Sequence, residues 1–129
     1  MKTTVISIVL AALMLGCSQS SVNEEEVVDA STFERMMKNN DEAIILDVRT
    51  PEEFAGGHIP NAVLMNVYDD DFKIEIDKLD KTKTILVYCA AGVRSEKAAE
   101  ILKGSGFKEV YHLKNGVKAW NEAQKELIK

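Results

Sequence analysis

The stretch Thr84–Ser95, T-I-L-V-Y-C-A-A-G-V-R-S, decides the fold. Ile85 to Tyr88 is a continuous apolar run with no position left to face water. A run of that kind suits a strand covered on both faces, as in a parallel sheet. Cys89 follows at once and Gly92 sits three residues on. Ser95 then opens a segment with alanines and apolar residues at helical spacing, which Gly104 closes. The unit reads as buried strand, short glycine-containing loop, and helix capped by Ser95. In parallel sheets, sites form beyond the carboxyl ends of the strands, and Cys89 stands at such an end.

Outward from this unit the same alternation continues. Ala43–Asp47 is a second continuous apolar run, and Val27–Val28, Ala62–Val67 and Glu109–Leu113 are shorter strand candidates. Between them, Ser31-Thr32-Phe33-Glu34 reads as a capping box opening a helix through Met36 and Met37 to Asn39-Asn40. Thr50-Pro51-Glu52-Glu53 starts a short helix with proline in its first turn, broken by Gly56-Gly57. Asp70–Leu79 is a weaker helix. After an Asn115-Gly116 turn, Val117–Ile128 is amphipathic and carries Trp120. Strands alternating with helices predict an α/β fold: one domain with a central parallel sheet of about five strands, flanked by helices on both faces.

A chain of 129 residues suits one such domain. Hydrophobic residues are 46% and charged residues 29%, an ordinary globular balance. The net charge of −5 gives no support for binding nucleic acid or an anionic membrane surface. Nothing in the composition calls for an oligomer, so a monomer is expected.

The N-terminus differs from the rest. One positive charge at Lys2 precedes the apolar block V-I-S-I-V-L-A-A-L-M-L, which ends at Gly16-Cys17. The block is too short to span a membrane comfortably as a helix and has the layout of a secretory signal. The ending L-M-L-G-C resembles a bacterial lipoprotein signal, in which the cysteine is lipidated and becomes the first residue. That resemblance implies a signal peptide over residues 1–16, a flexible tether over residues 17–26 and a folded domain over residues 27–129. It implies an exported protein, periplasmic or at the cell surface, that meets the membrane only through a lipid on Cys17. The chain holds two cysteines, so Cys89 would then be its single free thiol, with no partner for a disulfide. Oxidising compartments tend to pair or damage a lone thiol, so this one calls for an explanation.

The loop supplies one. Gly92 permits a positive φ, so the backbone of Cys89, Ala90, Ala91, Gly92 and Val93 can curl with its N–H groups pointing inward as an anion-binding nest. The helix that follows adds partial positive charge at its N-terminus, and Arg94 adds a full one. All three favour a thiolate over a thiol. No histidine lies nearby in sequence, so activation by field is simpler than activation by a paired base. The alternatives are a buried structural thiol at Cys89 and a solvated first-turn arginine at Arg94. A first-turn arginine opposes the helix dipole, and an anion-facing role would offset that cost.

Three stretches resemble the rhodanese (sulfurtransferase) superfamily in its single-domain form. They are D-V-R-T-P-E-E-F-A-G-G-H-I-P-N-A from Asp47 to Ala62, V-Y-C-A-A-G-V-R-S from Val87 to Ser95, and K-N-G-V-K-A-W from Lys114 to Trp120, in the family's order. The resemblance implies that Cys89 attacks the outer sulfur of a donor such as thiosulfate and becomes a persulfide. A thiol or cyanide-like acceptor would then take that sulfur. It makes Ala90, Ala91, Gly92, Val93, Arg94 and Ser95 the substrate-binding loop, and Asp47, Arg49, Glu53 and His58 its supports. No cofactor is implied, and the absence of a Cys/His cluster indicates no metal. Related phosphatases and arsenate reductases place five residues between cysteine and arginine, and here four intervene. A reading as phosphatase or arsenate reductase is disfavoured on that ground. A further alternative is a sulfur-relay or binding module that acts on a protein partner with little small-molecule turnover. His112 reads as a packed or surface histidine, and Trp120 with Met36 and Met37 as core.

Overall fold

The computed structural model describes residues 26–129. The expected signal peptide, Cys17 and the tether as far as residue 25 lie outside the described residues. Ten elements follow in order: β1 Val27–Val28, α1 Ala30–Asn39, β2 Ile44–Asp47, α2 Pro51–Gly56, β3 Val63–Leu64, α3 Phe72–Asp77, β4 Ile85–Tyr88, α4 Val93–Gly104, β5 Val110–Leu113 and α5 Gly116–Glu122. The strands form one sheet in the order β1-β5-β4-β2-β3, and every pair is parallel. The α/β expectation of a five-stranded parallel sheet with helices on both faces holds.

Strand alternation divides the core in two. In β4, Ile85 and Val87 face the side where α3 and α4 pack, through Phe72, Ile76, Ala98 and Leu102. Leu86 and Tyr88 face the opposite side, against Phe33 of α1 and Trp120 of α5. All four residues of β4 are fully buried. That is why the strand reads as an unbroken apolar run rather than an alternating one. Phe33 meets both Tyr88 and Trp120 edge-on, with ring centroids 6.3 and 6.1 Å apart. Being third of five, β4 carries Cys89 to the middle of the sheet's carboxyl end.

Three local expectations are corrected. Helix α1 is capped by Asp29, whose carboxylate accepts from the Thr32 N–H at 2.7 Å, and not by a box starting at Ser31. Starting there puts Ala30 in the first turn and buries it with Phe33. The cap of α4 is Gly92, in the left-handed region at φ 104°, and Ser95 lies inside the first turn. Helix α5 ends at Glu122 rather than reaching Ile128. Beyond it the chain turns at Gln124 with φ 56°, and Ile128 pairs antiparallel with His58. Trp120 Nε1 donates to the Glu126 carbonyl at 2.8 Å, which fixes the tail against the indole instead of continuing the helix.

Candidate active site

Cys89 leaves β4 and is 1% exposed, at the head of a loop that turns into α4. The Gly92 N–H points at its sulfur, with 3.1 Å from N to Sγ. Ser95 Oγ lies 3.5 Å from the same sulfur and donates to the Gly92 carbonyl at 3.0 Å. Burial alone would push the Cys89 thiol up. Hydrogen bonds from the Ser95 hydroxyl and from the N–H groups of Ser95, Gly92 and Ala91 outweigh it and hold the thiol below its ordinary value. The loop therefore presents N–H and O–H donors to the sulfur, an arrangement that favours a thiolate.

The cradle is shaped from outside by the start of α5. Val117 N–H donates to the Cys89 carbonyl at 2.9 Å and Lys118 N–H to the Ala90 carbonyl at 3.1 Å. With its carbonyls held outward, the loop is free to turn its N–H groups inward. A Cβ on Gly116 would lie 2.2 Å from the Cys89 oxygen, and one on Gly92 would lie 3.2 Å from the Asn115 nitrogen. In the sequence Asn115-Gly116 reads as a turn within the K-N-G-V-K-A-W motif. The structure makes it the wall behind the Cys89 loop.

Arg94 lies elsewhere than an anion-facing role implies. Its guanidinium forms two hydrogen bonds with the Glu53 carboxylate of α2, at 2.7 and 2.8 Å, and lies over the Tyr68 ring. The bidentate pair pushes Glu53 down to about 2 and raises Arg94, the nearby Cys89 sulfur adding a smaller upward pull on the arginine. Glu53 also closes the capping box of α2, accepting from the Thr50 N–H at 3.0 Å. One carboxylate thus ties the start of α2 to the start of α4.

The other support residues gather away from the sulfur. Asp47 is fully buried and is bonded by Arg49 at 2.7 Å and by the Tyr88 hydroxyl at 2.7 Å. Arg49 also donates to the Gly57 carbonyl, and Tyr88 accepts from the Ile59 N–H at 3.0 Å. The network joins β2 and β4 to the segment after α2, with each buried polar group partnered. His58 stacks on Phe54 at 3.7 Å, and its Nδ1 lies 3.0 Å from the Phe54 carbonyl. Its backbone pairs with Ile128.

His112, read as a packed or surface residue, is 8% exposed and lies next to the loop. Its Nδ1 is 3.4 Å from Ser95 Oγ. Alternation along β5 gives the signal, since it puts Val110 and His112 on the face that α4 covers. Among the described residues no cluster of His, Cys, Asp or Glu is gathered as metal ligands. A groove of about 870 Å³ lies at the opposite end of the sheet, between Glu34, Ile44, Pro60 and Trp120.

The likeness to known proteins covers this whole arrangement. Residues 29–123 match the family model for the rhodanese-like domain. The chain is 32% identical over 120 residues to the uncharacterized protein YqhL of Bacillus subtilis, covering 93% of this chain and 94% of that one. It is 29% identical over 99 residues to a sulfurtransferase of Allochromatium vinosum, covering 77% of this chain and 88% of that one. The crystal structure of a rhodanese-related protein from Thermoplasma volcanium superposes with a TM-score of 0.70 at 25% identity, covering 80% of this chain and 97% of that one. With the fold, the loop and the ordered motifs in agreement, the chain belongs to the rhodanese-like domain family.

Proposed function

We propose that the protein is a rhodanese-type sulfurtransferase that moves a sulfane sulfur from a donor such as thiosulfate to a thiophilic acceptor. One observation carries the reading: a buried Cys89 sulfur faced by N–H and O–H donors, with its thiol held below the ordinary value. As thiolate, Cys89 attacks the outer sulfur of the donor. A new S–S bond forms, the old one breaks, and sulfite leaves with its electron pair. The terminal sulfur of the persulfide then rests among the loop's donors, which stabilise negative charge without a metal. An acceptor thiolate or cyanide attacks that sulfur and releases Cys89 as thiolate. The likeness to a protein named sulfurtransferase supports the chemistry, and the four-residue spacing from Cys89 to Arg94 favours a loop sized for sulfur.

A second reading has its own support. Glu53 neutralises Arg94, so the loop offers little free positive charge to a dianion. That favours a sulfur relay in which the donor is a protein persulfide or the acceptor a protein thiolate. The test is thiosulfate-to-cyanide transfer by the full chain beside Cys89→Ser. Thiocyanate formed by the wild type and lost in the variant, with a one-sulfur mass gain on the Cys89 peptide, is the expected result. No thiocyanate and no mass gain would remove thiosulfate as donor. Sulfur gained from a small persulfide instead would then favour the relay.

A further inference from the structure

His112 is the buried titratable side chain beside the loop that the chemistry above leaves unused. It sits in β5 opposite Val87, the residue two before Cys89. Its Nδ1 lies 3.4 Å from Ser95 Oγ, and the Cys89 sulfur lies 3.5 Å from that same oxygen. Ser95 has a single hydroxyl proton, and with the thiol protonated it rests on the Gly92 carbonyl. Ionisation removes the thiol hydrogen from the Ser95 oxygen and leaves a sulfur anion within its reach. The hydroxyl can then turn to the sulfur, while the oxygen accepts from whatever His112 offers. An N–H at that point polarises the hydroxyl and strengthens its hydrogen bond to the anion. Burial holds His112 below the ordinary imidazole range, with Glu96 opposing and Lys103 adding to it. The ring is therefore neutral at pH 7, and only one of its nitrogens carries a proton.

We propose that His112 is a positioning residue for Cys89: with its proton on Nδ1 it donates to Ser95 Oγ, and Ser95 in turn donates to the sulfur anion. The inference rests on Cys89 being the nucleophile, but its test needs no sulfur donor. Arg94, the charged group that interacts with Cys89, is held by Glu53 of α2 and is untouched by substitution at residue 112.

The test compares His112→Asn with His112→Gln, because the asparagine amide nitrogen can take the place of Nδ1 whereas the glutamine amide reaches toward Nε2. Iodoacetamide labelling of the full chain is followed against pH and read on the Cys89 peptide by mass spectrometry, so that Cys17 does not contribute. The asparagine variant is expected to follow the wild type within about twofold. The glutamine variant is expected to label about 5- to 10-fold more slowly at pH 7, since one pKa unit is roughly tenfold in thiolate fraction. In a Ser95→Ala background the glutamine substitution has no further effect. Equal profiles for the two variants, or the same slowing without Ser95, overturn the proposal. A measurement on the wild type guards against a variant that fails to fold: ¹⁵N NMR of the His112 ring at neutral pH. A proton on Nδ1 supports the chain of donors, and a proton on Nε2 overturns it. A protein that transfers no sulfur would still give both readouts, so the two failures are separable.

Discussion

At Gly116 a methyl group would meet the Cys89 carbonyl oxygen at 2.2 Å and the Ala90 carbonyl carbon at 2.7 Å. Those atoms are backbone and cannot swing aside, so a side chain there displaces the loop that holds the sulfur. The φ of 53° adds its own cost, about 1–2 kcal/mol for an L-residue. Gly116→Ala is therefore expected to lose at least about 1 kcal/mol in urea unfolding. It should also move the Cys89 labelling profile up toward an ordinary thiol. A variant with lowered stability and an unchanged labelling profile would show that α5 does not shape the cradle. The places of Cys89 at the end of β4 and of Gly92 at a positive φ were legible because they follow from neighbours in sequence. The need for glycine at 116 was not, because the atoms that exclude a side chain come from a loop more than twenty residues earlier. The contact of His112 with Ser95 escaped for the same reason: the two meet only after β5 has paired with β4.

Between elements, the Glu53–Arg94 pair joins the start of α2 to the start of α4 beside the loop. Glu53 is held down to about 2, below its ordinary value of 4.5, chiefly by the Arg94 hydrogen bonds. A depressed carboxyl stabilises the fold above pH 4.5, and that contribution is lost as the pH falls toward 2. The Glu53 side chain is 34% exposed, so solvent screens the pair and its worth is on the order of 1 kcal/mol or less. Glu53→Gln should accordingly cost stability at pH 6 and little at pH 2. Urea unfolding of both proteins at the two pH values reads this directly. A stability difference that persists at pH 2 would assign the loss to the capping box of α2 instead of the charge. The start of α2 was plain in the sequence because Thr50, Pro51 and Glu53 are all local signals. The start of α1 was misplaced because Asp29 and Ser31 are both competent caps two residues apart. Packing of Ala30 and Phe33 decides between them, and packing is not a local property.

Over the whole molecule, the chain closes on itself. The tail after α5 returns to the first motif, where the backbones of His58 and Ile128 exchange two hydrogen bonds of 2.8 Å. Leu127 packs into the α1/α5 side of the core, and Lys125 pairs with Glu34 of α1. Removing residues 124–129 should cost on the order of 2 kcal/mol in thermal or urea unfolding, from lost apolar burial and unpaired backbone groups. Faster amide exchange at His58 and Ile59 should accompany it. Exchange rates there that match the full chain would mean the tail only covers the core without fastening the segment after α2. The parallel sheet itself was readable from two doubly apolar runs, Ile44–Leu46 and Ile85–Tyr88. The tail was misread as helix because its apolar residues also fit a helical period, and only the partners at His58 and Trp120 reveal an extended strap.

The position of β4 as the middle strand also bears on the order in which the site comes into being. Residues up to Tyr88 can collapse as they emerge, but β4 acquires its second neighbour only when β5 arrives, and the loop acquires its outer wall only when α5 follows. Parallel pairings of this kind close long stretches of chain and form slowly. Until they form, the Cys89 and Ala90 carbonyls lack the Val117 and Lys118 N–H groups that hold them outward. The cradle around Cys89 is consequently completed late in folding, and a thiolate that depends on it would be absent from the nascent and partly folded chain, where it would be open to oxidation.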